Sequence, residues 1–350
     1  MMQAILFVLC CTCLLVLPMM PALREWRHKR DAEPLKVVRE YDGNIKHFAN
    51  SFRTYLGEQQ GSQSAPSTVL HRAGPGGVPN FTLAEQAERT SVRMLVGAGE
   101  LQLGENVLFE TEVYAGAALS GGKRNTFRAI LADGPVHLGD DCAVLRWAHS
   151  AVSLNFGLRA RLYGRASADN EITLQRGTRF GRMWAPVIRF GPAPERPPAF
   201  QPPLPQPLAA PADLLDQTDF RWLVAGHLQV PAGATHNGSL VARRDVHVGD
   251  HARLHGDIKS NGVLVIGDHV TIEGALVASH RIHIGRHCVI KGPVVCEQLI
   301  VIESGTTIGG IDDPTSVTGS EIRLDEGVSA HGTVWARELG YVAVPRAART

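Results

Sequence analysis

A gapless 18-residue period runs through the last third of this chain and leaves few folds open to it. Coils begun at Leu228, Val246, Leu264, Ile282 and Ile300 align without insertion, and Gly238, Gly256, Gly274, Gly292 and Gly310 then share one column. Each coil divides again into three six-residue steps. In the middle coils the inward positions begin Val246, Val248, Ala252, Leu254, Ile258 and Ser260. They continue through Leu264, Ile266, Val270, Ile272, Leu276 and Ala278 to Ile282, Ile284, Cys288, Ile290, Val294 and Cys296. Seventeen of these eighteen are apolar in a chain that is 44% hydrophobic. Residues two apart lie on one face of a strand.

A turn at every sixth residue bends such a chain by a third of a circle, so eighteen residues close one triangular coil. Successive coils then stack about 4.8 Å apart through parallel backbone hydrogen bonds. The fold class is therefore mainly β, a β-solenoid with 18-residue coils. Its predicted core includes Ile266, Ile272, Ile284, Ile290 and Ile302, and its corners use the glycine column for positive φ or close approach. At the edges the pattern loosens. His236 takes a core position, and Asp312-Asp313-Pro314 reads as a bulged corner about four residues long, after which Ile322, Leu324, Val328 and Gly332 resume the frame.

A second, degenerate solenoid is predicted upstream, over 93–191. Its segments are Leu101, Leu103 and Val107; Val136, Leu138, Cys142 and Val144; Val152, Leu154, Leu158 and Ala160; then Ile172, Leu174, Thr178 and Phe180. Spacings of 16 and 20 residues suggest coils of uneven length. Nine prolines between Gly191 and Pro211 make an extended spacer, so 192–219 is read as a linker and 220–343 as the second solenoid.

The N-terminus has a different character. Residues 1–23 carry no charged side chain, and Arg24, Arg27, Lys29 and Arg30 come immediately after. A helix of that length reaches across a hydrocarbon core of about 30 Å, and the basic flank favours a cytoplasmic location for the rest of the chain. The segment is expected to be a transmembrane anchor; a cleaved signal peptide is the rival, but the n-region is neutral and Pro21-Ala22-Leu23 is a poor cleavage site. Residues 24–56 read as a basic juxtamembrane stretch and an amphipathic helix. Val38, Tyr41, Ile45, Phe48, Phe52 and Tyr55 recur at gaps of three and four, fitting either self-association or packing on a neighbouring surface. Gly, Ser, Gln and Pro make 57–92 a flexible linker.

Lys and Arg number 35 against 34 Asp and Glu, which gives no sign of a nucleic-acid partner. Cys142, Cys288 and Cys296 sit at apolar-patterned positions without metal or disulfide spacing. His251, His269 and His287 fall 18 apart. Either they stack as a metal-binding column, or they fill a left-handed turn slot that His tolerates. Arg159, Arg161, Arg165, Arg176, Arg179, Arg182 and Arg189 make the first solenoid basic on its polar face. That suits an anionic headgroup or acidic polysaccharide, or simply a solvated strand face. No phosphate loop or nucleophile elbow occurs, and the CxxC spacing of Cys10 and Cys13 lies inside the uncharged segment 1–23, so no catalytic, cofactor or metal residue is assigned. One step, Ile266-Gly267-Asp268-His269-Val270, is similar to hexapeptide acyltransferases. Those usually break the stack with a loop carrying a catalytic histidine, whereas coils 228–317 run on; they remain the alternative reading.

The second solenoid resembles the bactofilins, polymer-forming cytoskeletal proteins of bacteria. Leu254-His255-Gly256-Asp257-Ile258, Val270-Thr271-Ile272-Glu273-Gly274-Ala275-Leu276 and Ile290-Lys291-Gly292-Pro293-Val294 carry the resemblance, which spans roughly 228–343. It implies a β-helix that polymerises with itself without nucleotide or other cofactor. It further implies a scaffold for envelope or polysaccharide-synthesis proteins at the bacterial inner membrane, with the soluble domains in the cytoplasm. A parallel solenoid leaves two open ends, and open edges recruit strands. Val334, Trp335, Leu339 and Tyr341 therefore mark the C-terminal end as the expected assembly surface, unless they fold back as a private cap.

Overall fold

A computed structural model describes residues 17–20, 45–61, 70–72, 88–193 and 204–343. The chain divides into two units, 1–35 and 36–350. In the first, the described residues form a single 3-10 turn, Leu17–Met19. The proposed anchor 1–23 otherwise lies outside the described residues, as do the basic cluster 24–30, most of the linker 57–92, and residues 194–203. Among the described residues, no helix is long and apolar enough to cross a membrane.

Among the described residues the second unit carries one α-helix, α1 (His47–Gly61), and 32 strands joined in one continuous sheet. The coils form because short apolar steps alternate with turns that cannot continue as strand. In the second solenoid Leu228 pairs with Val246, then Leu264, Ile282 and Ile300, each in parallel register and 18 residues on. The next partner of Ile300 is Ile322, so this coil holds four extra residues. They lie in the Gly309–Pro314 corner, where Gly310 and Asp313 bond each other's backbone in both directions. All eighteen inward positions of the middle coils are buried, including Ile266, Ile272, Ile284 and Ile290, as is Ile302 in the next coil. Burial of each large aliphatic side chain contributes about 1.5–3 kcal/mol, so this column is the main source of stability.

The first solenoid is more regular than its sequence suggests. Leu101 pairs successively with Leu119, Val136, Leu154, Ile172 and Ile188, at steps of 18, 17, 18, 18 and 16 residues. The coil at Leu119–Gly121 has little apolar signature, so reading from Leu103 to Val136 skips it. The apparent spacings of 16 and 20 arise from registering the coil on Val152 rather than Leu154; Leu154 is fully buried and Val152 is not. Four long strands begin at Leu108, Thr126, Ala143 and Arg161; the first two pairings between them shift register part-way, and the third keeps an 18-residue offset throughout. Phe109 and Phe127 stack in this core with centroids 4.8 Å apart.

Helix α1 lies along the outside of the first solenoid. Ala49, Phe52 and Leu56 are buried against Met94, Val96, Ala129, Leu131 and Trp147. Arg53 bonds Asp133 at 2.6 Å, and Lys46 bonds Asp169 at 2.6 Å. The helix is thus packed on a neighbouring surface. Phe48 and Tyr55 of the expected seam stay exposed, while Phe52 is buried; Val38 and Tyr41 lie outside the described residues. Beneath it, His149 and Ser167 form a buried hydrogen-bonded pair at 2.9 Å, and burial lowers the His149 pKa.

Candidate assembly surfaces

Every coil needs one backbone residue in the left-handed region. In the second solenoid this slot is held by Gly233, His251, His269, His287, Gly305 and Gly327. The three histidines have φ between 53° and 61°, and their rings stack at 4.9 and 5.1 Å with interplanar angles of 4° and 16°. The turn-slot alternative therefore describes their backbone. Parallel imidazoles stacked in this way do not converge on a point, and no group of metal-binding side chains occurs among the described residues. The first solenoid uses the same slot at Asn106, Arg124, Asp141, Arg159 and Gly177.

The glycine column plays a narrower part than expected. Gly238 and Gly256 have φ of +123° and +155°. At Gly274 and Gly292 the requirement is close approach, since a Cβ at either would collide with the backbone of the preceding coil's glycine. Gly310 has open space around it, because the extra four residues carry it out of the column.

The C-terminal edge has a partner. Strand Val328–Ala343 pairs antiparallel with Arg179–Phe190, the last strand of the first solenoid. The two solenoids therefore meet C-terminal end to C-terminal end within one chain. Val334 lies opposite Met183, Trp335 opposite Arg182 and Tyr341 opposite Arg179. The Arg182 guanidinium sits 5.1 Å from the Trp335 ring centroid. Gly177 N–H donates to the Val342 carbonyl and Gly327 N–H to that of Phe190. His331 Nδ1 lies 2.8 Å from the Pro186 carbonyl. The private-cap alternative therefore describes this strand: Val334, Trp335 and Tyr341 pair in cis with the first solenoid and are not a free edge, while Leu339 lies at the register shift and pairs only with Glu321. Sequence reasoning missed the pairing because neither strand carries a signal for its partner, which lies some 150 residues away.

The N-terminal edge of the second solenoid differs. Part of the proline-rich stretch pairs onto it: Gln206–Pro207 adds to Ala234–Thr235, and Leu214–Thr218 runs antiparallel to Arg221–Val224. The spacer defined by composition is shorter by those residues. Leu228–Val230 pairs with Val246–Val248 on one side and has no strand on the other among the described residues. At this end Phe220 is 80% exposed and Leu215 50%. Trp222 packs on His236 at 4.4 Å, and burial lowers that histidine's pKa. A solenoid with one edge sealed in cis and the other partly open can add strands only at the open one.

Residues 223–312 match the bactofilin family, described as polymer-forming cytoskeletal. The match begins in strand Arg221–Val224, just before the open edge at Leu228–Val230, and ends at the bulged corner, so it takes in the regular coils of the second solenoid. It does not reach the first solenoid or the junction. No curated protein and no solved structure matches the chain.

The remaining candidates are structural in their surroundings. Cys142, Cys288 and Cys296 are buried free thiols, and burial raises the Cys288 pKa to about 12. Of the seven arginines, Arg159 pairs with Asp141, Arg176 with Glu326 and Arg189 with Glu171. Arg165 lies over Phe48.

Proposed function

We propose that this chain is a membrane-anchored, nucleotide-independent, non-enzymatic scaffold that assembles with itself through its bactofilin-type solenoid. The observation that carries this reading is the coincidence of the family match with a run of regular coils whose N-terminal edge is open at Leu228–Val230. Unpaired strand edges recruit further strands, and exposed Phe220 and Leu215 add apolar surface beside that edge. The uncharged segment 1–23 with its basic flank supports attachment to the inner membrane, the solenoids being cytoplasmic. In that position the assembly holds cell-envelope or polysaccharide-synthesis proteins in place.

Negative-stain microscopy and sedimentation of the full chain in neutral detergent, without nucleotide, test the assembly. Ordered multimers are expected, and Leu215→Glu with Phe220→Glu should disperse them. Single chains at every concentration would overturn the reading. Fractionating cells that make the full chain, beside a version starting at Asp31, tests the anchor. The full chain should be in the membrane fraction and the shortened one should not.

A further inference from the structure

The junction between the solenoids creates a cleft that neither possesses alone. It has a volume of about 700 Å³ and is lined by Arg159, Arg176 and Gly177 from the first solenoid and Arg323, Tyr341 and Val342 from the second. One outward ladder crosses it. Arg161 pairs with Arg179, Arg179 lies opposite Tyr341 across the junction, and Tyr341 pairs with Arg323. Adjacent strands lie about 4.8 Å apart, so Arg161 and Arg179 are one step apart, and Arg179 and Arg323 are two steps, about 10 Å, apart with Tyr341 between them.

Charge around the cleft is not balanced. Asp141 accepts two hydrogen bonds from Arg159, at 2.8 and 2.6 Å. Arg176 reaches Glu326 at 3.4 Å, and Arg323 reaches Asp325 at 3.6 Å. Arg161 and Arg179 have no ion-pair partner among the described residues and are exposed. The three arginines that line the cleft are each near a carboxylate, and Arg161 and Arg179 of the ladder add positive charge beside it. Moreover, Arg323 Nε is buried and makes no hydrogen bond. A buried N–H without an acceptor is costly, so Arg323 is an incompletely satisfied guanidinium in the cleft wall. Guanidinium groups present forked donors that match phosphate and carboxylate oxygens.

We infer that this cleft is a binding site for a soluble multivalent anion, a single molecule bearing two or more phosphate or carboxylate groups about 5–10 Å apart. Its walls come from both solenoids, so a bound anion bridges them and stabilises the junction. The site is independent of the open edge and of self-assembly.

Calorimetric titration of the full chain with tripolyphosphate tests this, with sodium sulfate at matched ionic strength as the control. Saturable binding of one tripolyphosphate per chain is expected, with a rise in Tm, since a ligand that binds only the folded state stabilises it. Arg179→Gln and Arg323→Gln should each weaken binding about tenfold. Arg128→Gln, whose parent residue pairs with Glu112 elsewhere on the solenoid, should leave it unchanged. Arg179 is exposed, so its variant keeps the fold even if Arg323→Gln does not. Absence of saturable binding would overturn the inference. So would equal weakening by all three variants, which marks diffuse charge, or binding to anionic-lipid vesicles without binding to tripolyphosphate.

Discussion

At the scale of single residues, the coil is held by an inward column and by corner positions with strict backbone needs. Ile284 is fully buried between Ile266 and Ile302 in the ladder, whereas Lys291 points outward and bonds Glu273 at 2.7 Å. Ile284→Asp should lower stability by at least about 3 kcal/mol, because an unpaired carboxylate is buried. Lys291→Asp removes an exposed ion pair and should be nearly silent in a melt. Thermal melts of the two variants decide whether the inward and outward faces are assigned correctly. The corners offer a second matched pair. Gly274→Ala should be strongly destabilising because its Cβ meets the backbone of Gly256, while Gly310→Ala should be silent. Both positions look alike in the repeat, and only the four-residue bulge separates them.

Titration acts at this scale too. Burial lowers the pKa of His149 and His236, and burial together with the neighbouring His269 lowers that of His287. Each folded pKa lies below the unfolded value of about 6.5. The fold therefore favours neutral imidazole, and its contribution is fully present above that pH and lost as pH falls below it. Tm should be level between about pH 8 and 7 and decline below about 6.5. His287→Asn keeps a residue that tolerates φ > 0 and should soften that decline. An unchanged pH profile would remove His287 from the account.

At the scale of elements, α1 couples the N-terminal part of the chain to the side of the first solenoid. Phe52 meets Trp147 edge to face at 5.7 Å. Asp133 accepts from both Arg53 and Tyr114 at 2.6 Å, and burial with that aspartate raises the Tyr114 pKa to about 12. Phe52→Ala should loosen the helix by about 3 kcal/mol. Trp147 emission should shift to the red and residues 47–61 should exchange amide hydrogens faster, with little effect on the second solenoid. The helix and its apolar face were legible in the periodicity, but which residues face inward was not. Phe48, Phe52 and Tyr55 all fit a heptad seam, and the surface that selects Ala49, Phe52 and Leu56 is made by strands far along the chain. The regular coils were legible for the opposite reason, since each position sees its own equivalent one turn away. In the first solenoid that advantage faded at Leu119–Gly121, where a small-residue step fills the coil without announcing it.

At the scale of the whole molecule, the unit formed by residues 36–350 holds two solenoids whose C-terminal edges close on each other, one of them matching the bactofilin family over 223–312. The sequence marked the aromatic C-terminal strand as an interface, but its partner is the chain's own Arg179–Phe190. Antiparallel pairing across an end leaves no period to read. Trp335→Glu should weaken this junction through loss of the Arg182 contact and raise amide exchange in both strands. The most direct test is a cysteine pair across the junction. Arg189 lies opposite Ser329 in the antiparallel register, at a separation that a disulfide can bridge. With Cys10, Cys11 and Cys13 replaced by serine, Arg189→Cys with Ser329→Cys should oxidise rapidly within single chains at low concentration. Failure to oxidise, or a crosslink formed only between two chains, would contradict the end-to-end arrangement.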